Sequence, residues 1–472
     1  MIRLLHAYAP KRTFLLGISE ACLIFLALVV SVLARLGAGE ASFMLTYEYG
    51  ALKILFVAVA FLTCMYYFDL YDSTIVNNRR EALVRLIQVM GVAYVSLGLV
   101  YYLYPPVKLG RGIFLIGFLL VGIVLLLWRR LFSVINSRQG LAERVMILGE
   151  GGLAESLRHE IETRPELGFR VASREEMLAN GNPPVDQERG GLPITLSQTG
   201  FFENLTVSRP IRGLDRIVVA MEERRGKLPV DLLLSLKNRG VLVQDGNDVY
   251  ESITGKVPIE SIRVSWLLFS PGTSASRLFL IYKRFASVVI SIIGLLLSLP
   301  LLPFIYLVIK LDSPGRLLYS QSRVGRDGAV FRCYKFRTMR SDAEADSGPT
   351  WAKDDDPRIT RGGKFLRKTR MDEIPQLWNV LRGDMSLVGP RPERPEFVEG
   401  LSQEIPYYQL RHSIRPGITG WAQILYKYGS TVEDAKEKLR YDLYYVKNAS
   451  MGLDLLILLN TIKSVLVGRG AR

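Results

Sequence analysis

The run from Phe285 to Ile309, "FASVVISIIGLLLSLPLLPFIYLVI", constrains this chain most: it carries no charge and is bracketed by "YKR" and "KLDSPG". At a rise of about 1.5 Å per residue, a helix of this length crosses a bilayer core of about 30 Å. Pro300 and Pro303 interrupt it. Proline removes one helical hydrogen bond and collides with the preceding turn, so the segment either crosses with a kink or enters and turns back. Four further apolar runs, residues 13–36, 50–68, 86–104 and 112–128, approach spanning length. The first lacks a small-residue cleavage site and reads as an anchor. Arg3, Lys11, Arg12, Arg79, Arg80, Arg85, Arg129, Arg130 and Arg138 fall on one side of these spans, and Arg35, Lys53, Lys108 and Arg111 on the other. That asymmetry predicts a cytoplasmic N-terminus, with the chain back in the cytoplasm after Trp128. None of the spans shows a central acid or base pair of the kind transporters use, so a plain anchor stands beside any functional reading of the bundle.

With 472 residues, 49% of them hydrophobic, the chain needs folded parts outside the membrane. A formal charge of +15 suits nucleic acid, anionic lipid or phosphorylated substrates. Cys22, Cys64 and Cys333 are scattered and suggest neither a disulfide frame nor a zinc site. With only His6, His159 and His412 present, any metal is expected to be a hard cation on carboxylate oxygens.

The stretch "RVMILGEGGLAESLRHEIE" passes from a β-branched strand through Gly149-x-Gly151-x-x-Ala154 into a helix, a relaxed dinucleotide fingerprint. "DRIVVAM" and "GVLVQDG" read as further strands around the helical "PVDLLLSLKNRG", predicting a small doubly wound α/β domain. After "GFRVAS" come Arg174, Glu175 and Glu176, with no clearly placed acid for a ribose, so a structural or regulatory role is preferred to cofactor binding.

From Lys310 onward charge, glycine and proline become dense. Lys335, Arg337, Arg367, Arg391 and Arg415 stand beside turn-forming residues that can hold cations and backbone N–H groups for oxyanions. Interleaved base-reading aromatics are missing, which argues against a nucleic-acid partner. Pro375 and Gly383 frame "DEIPQLWNVLR" as a helix starting at Asp372 and Glu373, where the dipole is expected to lower the carboxylate pKa and attract phosphate. Taken alone such a pair is a capping device; beside these cations and the membrane segment it reads as an Asp that attacks phosphorus and a Glu that holds Mg²⁺.

Residues from about Lys283 onward resemble the bacterial sugar transferases, the polyprenyl-phosphate glycosyl-1-phosphate transferases that begin exopolysaccharide and O-antigen assembly. The resemblance rests on "IKLDSPG", "QSRVGRDG", "YKFRTM", "DEIPQLWNVLRGDMSLVGPRP" and "RPGITGWAQ". The N-terminal spans and α/β domain resemble the large polytopic branch, and "DVYESITGKVPIESIRVSWLLF" its exopolysaccharide members. The resemblance implies that Asp372 attacks a nucleoside diphosphate sugar, expected to be a UDP-sugar, and that polyprenyl (undecaprenyl) phosphate then takes the phosphosugar. It also implies Mg²⁺ on Glu373, phosphates on Arg367 and Arg391, and a hairpin broken at Pro300. The family often carries an aspartate where Ser287 stands.

The expected architecture is a membrane α-helical bundle of four spans (1–138), a Rossmann-like α/β domain (141–265) and a mixed α/β catalytic domain (278–472) with a re-entrant membrane helix over 285–309. The expected setting is the bacterial inner membrane, with the active site facing the cytoplasm and room for a homodimer. A nucleotide-sugar oxidoreductase would need a Tyr-x-x-x-Lys pair that the α/β part lacks, and a noncatalytic scaffold would tolerate loss of Asp372.

Overall fold

The computed structural model describes residues 11–71, 79–137, 142–164, 167–172, 214–221, 223–224, 227–261, 277–340, 343, 356–426, 429 and 431–467. Residues 174–176, where a ribose-binding acid was sought, lie outside the described residues. So do residues 262–276, which include the end of the exopolysaccharide-like stretch.

Four helices open the chain: α1 (Lys11–Tyr47), α2 (Gly50–Tyr67), α3 (Arg79–Leu103) and α4 (Arg111–Ser137). They run past the apolar windows because hydropathy marks only the hydrocarbon core, whereas helical hydrogen bonding continues into polar turns. The first is bent at Gly37, whose φ of 79° lies outside helical space. Ile24, Leu28, Ile54, Phe61, Leu97 and Leu125 fill the bundle's centre. Glu20 is fully buried and pairs with Arg129 at 2.7 Å, so the bundle does hold an acid and a base together. Glu20 lies in the first run and Arg129 just past the end of the fourth, and the packing of α1 on α4 brings them together.

The α/β part contains β1 (Glu143–Leu148), α5 (Gly152–Thr163), β2 (Phe169–Val171), β3 (Arg216–Val219), α6 (Val230–Asn238), β4 (Leu242–Asp245) and α7 (Gly246–Thr254). The strands pair in parallel in the order β2-β1-β3-β4. Alternate strand residues face opposite ways. Val145, Ile147 and Val218 meet α5 and α7, and Met146, Leu148 and Ile217 meet α6, so helices cover both faces as expected. Gly149, at φ 133°, is explained by the fold itself: a Cβ there would lie 2.6 Å from the backbone of Ala220.

The C-terminal part runs α8 (Arg277–Ser298), a 3-10 turn at 299–301, α9 (Leu302–Asp312), β5 (Leu318–Val324), β6 (Val330–Phe336), α10 (Arg361–Lys368), a 3-10 turn at 371–373, α11 (Gln376–Arg382), β7 (Ser386–Val388), α12 (Pro395–Glu404), a 3-10 stretch at 408–413, β8 (Gly417–Thr419), α13 (Trp421–Leu425), α14 (Val432–Asn448) and α15 (Met451–Val467). β5 and β6 form an antiparallel hairpin, and β7 pairs with β8 in parallel. Residues 277–312 are the fifth stretch long and apolar enough to cross a membrane, but Pro300 sits in the turn that breaks it. Both limbs return to the same domain. α8 rests on α11 and β7, with Arg284 donating to the carbonyls of Val380 and Leu381. Through Ile305 and Ile309, α9 packs on Leu366 and Phe336, and Asp312 accepts from the Gly362 N–H at 2.7 Å.

Contacts of two kinds, apolar and ionic, join these parts. Val257 and Ile259, just after α7, enter the C-terminal core beside Trp421, whose indole N–H donates to the Gly255 carbonyl at 3.0 Å. Along α15, Asp454 pairs with Lys283 at 2.9 Å, while Lys463 bonds Asp69 and the Tyr66 carbonyl at the end of α2.

Candidate active site

A cavity of about 570 Å³ opens between the β5–β6 hairpin, the 371–373 turn and the ends of β7 and β8. Its wall carries ten Arg and Lys side chains against four carboxylates. A volume of this size suits a small-molecule ligand, and the charge suits one bearing phosphates.

Asp372 and Glu373 enter the wall on a 3-10 turn, not on the helix itself. Pro375 is the N-cap of α11, and Arg370 opens the turn with a left-handed φ of 58°. A non-glycine residue held there costs of order 1–3 kcal/mol, strain of a kind that collects at functional sites. Asn379, fully buried on α11, accepts from the Tyr334 N–H at 3.0 Å and donates to the Arg332 carbonyl at 2.7 Å. That clamp fixes β6 against α11 and brings Lys335 within 3.4 Å of Glu373.

The two neighbouring acids have opposite environments. Burial alone would push Glu373 up, but Arg391 at 3.0 Å, then Lys335 and Arg370, hold it down at about 2. Asp372 is pushed up, first by burial and then by the Glu373 carboxylate, against the pull of Lys335, Arg367 and Arg370. The expectation that a helix dipole lowers both is therefore corrected: desolvation outweighs it at Asp372. Oδ1 of Asp372 is buried and accepts no hydrogen bond from any described residue. Such an orphaned oxygen costs stability until a ligand meets it.

Lys335, Arg367 and Arg391 line the cavity as expected. Arg367 donates from Nε to the Thr338 hydroxyl at 2.9 Å, which aims it from α10. Arg337 also reaches the wall, but its two terminal nitrogens donate to the carbonyls of Ser313 and Pro314. Its fork closes the turn after α9. Arg415 stands outside the cavity, and its neighbours in charge are Arg284 and Arg326. Sequence reasoning missed Arg323, Arg370, Arg394, Arg411 and Lys438 on the same wall. Arg411 is buried, bonding Asp442 at 2.8 Å and the Arg391 carbonyl at 2.9 Å.

For a metal, the chain offers two adjacent carboxylates. Among the described residues no group of three or more His, Cys, Asp and Glu side chains converges. Mg²⁺ characteristically uses one or two carboxylates together with substrate phosphates, and these donors fit that pattern.

Two families match the chain, one over its C-terminal part and one running from the helical bundle into the α/β part. The family described as bacterial sugar transferase matches residues 278–468, and one described as CoA-binding domain matches residues 66–195. The chain is 43% identical over 224 residues to the UDP-N-acetylgalactosamine-undecaprenyl-phosphate N-acetylgalactosaminephosphotransferase of Aeromonas hydrophila, covering 48% of this chain and 52% of that protein. It is 34% identical over 344 residues to the undecaprenyl-phosphate glucose phosphotransferase of Komagataeibacter xylinus, covering 70% of this chain and 60% of that protein. The UDP-glucose:undecaprenyl-phosphate glucose-1-phosphate transferase of Escherichia coli (strain K12) is 32% identical over 332 residues, covering 69% of this chain and 68% of that protein. The first two relatives are thus spanned over little more than half of their own length. With the match extending beyond the basic cavity to cover two thirds of the E. coli relative, the chain belongs to the bacterial sugar transferase family.

Proposed function

We propose that the protein transfers a sugar-1-phosphate from a UDP-sugar to polyprenyl phosphate through a phosphosugar held on Asp372. The observation that carries this reading is the buried Asp372 carboxylate, with an orphaned oxygen, in a cavity walled by cations. An oxygen of Asp372 attacks the sugar-linked phosphorus. The bond from that phosphorus to the bridging oxygen breaks, and uridine monophosphate leaves with the electron pair. A phosphate oxygen of the polyprenyl acceptor then attacks the same phosphorus, forming the polyprenyl diphosphate sugar and returning Asp372 as a carboxylate. Lys335, Arg367 and Arg391 neutralise the phosphates in both steps. Glu373, kept ionised by its cations, would hold Mg²⁺, which when bound supplies charge neutralisation at the diphosphate.

The relatives' names support the lipid acceptor, since each includes undecaprenyl phosphate. A re-entrant hairpin over 285–309 is supported by the break at Pro300 and by the return of both limbs to one domain. It keeps Asp372 on the cytoplasmic face of the inner membrane, where nucleotide sugars are supplied. The product would begin exopolysaccharide or O-antigen assembly. The α/β domain is read as a scaffold, supported by the close approach of the Ala220 backbone to Gly149, which accounts for that glycine through packing.

The test is an assay of the purified chain in detergent with a panel of nucleotide sugars, undecaprenyl phosphate and Mg²⁺, reading nucleoside monophosphate release. Asp372→Asn is expected to lose roughly three or more powers of ten in turnover. Glu373→Gln is expected to raise the Mg²⁺ requirement and lower the rate. Half-maximal activity in Asp372→Asn would refute the scheme.

A further inference from the structure

Outside the catalytic cavity, three arginines from separate segments meet at the mouth of the apolar hairpin. Arg284 is the last residue before the uncharged run, and its guanidinium caps the end of α11 through Val380 and Leu381. One turn further along α8, the Ser287 hydroxyl lies 3.2 Å from that of Ser386 on β7. The Ser386 N–H donates to the Pro416 carbonyl at 2.8 Å, and Ser386 faces Gly417 in the β7–β8 register. This pairing sets the exposed Arg415 near Arg284 on α8. Arg326 arrives from the turn at 326–328, which packs on the 408–413 stretch leading to Arg415.

The cluster is poorly compensated. Among the described residues the one carboxylate paired with any of the three is Asp327, at 3.1 Å from Arg326. Partial burial, then the charges of Arg284 and Arg326, push Arg415 below the ordinary arginine value. Like charges held this close repel unless an anion lies among them.

The level of the cluster indicates which anion. Lys283, next to Arg284, is tied through Asp454 to α15, whose Lys463 reaches Asp69 at the end of membrane helix α2. Met451, Leu455, Leu459 and Ile462 form an exposed apolar stripe along α15, the pattern of a helix lying in a membrane surface. Exposed Leu280, Ile281 and Phe285 continue that apolar surface around Arg284.

We propose that Arg284, Arg326 and Arg415 form a site for the phosphate of an anionic phospholipid headgroup, separate from the cavity of Asp372. The site fastens the mouth of the hairpin to the membrane surface; the inference rests on the hairpin entering the bilayer as proposed above. Each arginine near an anionic surface is worth about fivefold in affinity.

The test titrates the full-length protein in nonionic detergent with short-chain phosphatidylglycerol, phosphatidylcholine or inorganic phosphate, reading the thermal midpoint. Phosphatidylglycerol is expected to raise it at concentrations where the other two do not. Arg326→Gln with Arg415→Gln should weaken that response about 25-fold, and Arg326→Gln alone, an exposed and structurally mild change, about fivefold. Lys237→Gln with Arg239→Gln, an equal loss of charge at the C-terminal end of α6, should leave it unchanged. The site is refuted by an unaltered response in both arginine variants, by an equal loss in the α6 control, or by displacement of the lipid with inorganic phosphate or undecaprenyl phosphate. Uridine monophosphate release measured alongside separates this outcome from a failure of the transfer scheme, because neither arginine lines the catalytic cavity.

Discussion

Asp372 and Glu373 are chain neighbours with opposite ionisation behaviour, and the difference lies in which cations each one touches. Glu373 is satisfied by Arg391 and Lys335, whereas Asp372 keeps an oxygen without a donor. If Asp372 attacks as proposed it must be ionised, so activity should fall as the pH drops through its raised pKa, moving the acid limb of kcat/KM up from the ordinary aspartate value. Arg367 lowers that pKa, so Arg367→Gln should move the limb to higher pH. A profile whose acid limb is unmoved in the variant would contradict the assignment. The pair itself, with Lys335, Arg367 and Arg391, was legible because acids embedded among cations and turn residues have few other uses. Arg323, Arg394 and Arg411 were not, since their approach depends on pairings between segments far apart in the chain. Arg337 and Arg415 show the converse: a cation beside glycine and proline can equally close a turn or face another surface.

At the scale of elements, the glycines and prolines explain most of what sequence patterns could and could not reveal. The helix at 376–382 was expected, but starting at Asp372; Pro375 is its N-cap, so the acids fall on the tighter turn before it. "SPG" is shaped by packing: Gly315 has φ 129°, and a Cβ there would lie 2.2 Å from an Arg337 nitrogen. Gly315→Ala should therefore combine backbone strain of about 1–3 kcal/mol with loss of the Arg337 clamp, lowering the thermal midpoint. Gly152→Ala, with open space around it, should leave the midpoint nearly unchanged. Equal midpoints for the two variants would show that the clamp contributes nothing. The doubly wound sheet was readable from its β-branched strands, whereas the docking of Val257 and Ile259 against Trp421 was not, because their apolar side chains look the same in any core.

For the whole molecule, the hydropathy pattern revealed the bundle but not its buried Glu20–Arg129 pair or the links that carry it through α15 to the hairpin. The proposed hairpin would return the chain after Ile309 to the side of the membrane on which Arg284 stands. Single cysteines placed near Arg284 and near Ser313 should both resist a membrane-impermeant reagent in intact cells and react once the cells are opened. Labelling at 313 alone in intact cells would mean a true crossing. The central claim, a phosphosugar on Asp372, is tested most directly by mixing the full chain with a turned-over UDP-sugar and Mg²⁺ in the absence of polyprenyl phosphate and examining the protein by mass spectrometry. A phosphosugar on the peptide containing Asp372, formed with an equal amount of uridine monophosphate and discharged by adding polyprenyl phosphate, is the predicted result. Uridine monophosphate released only when the lipid acceptor is present, with no adduct on the protein, would contradict it.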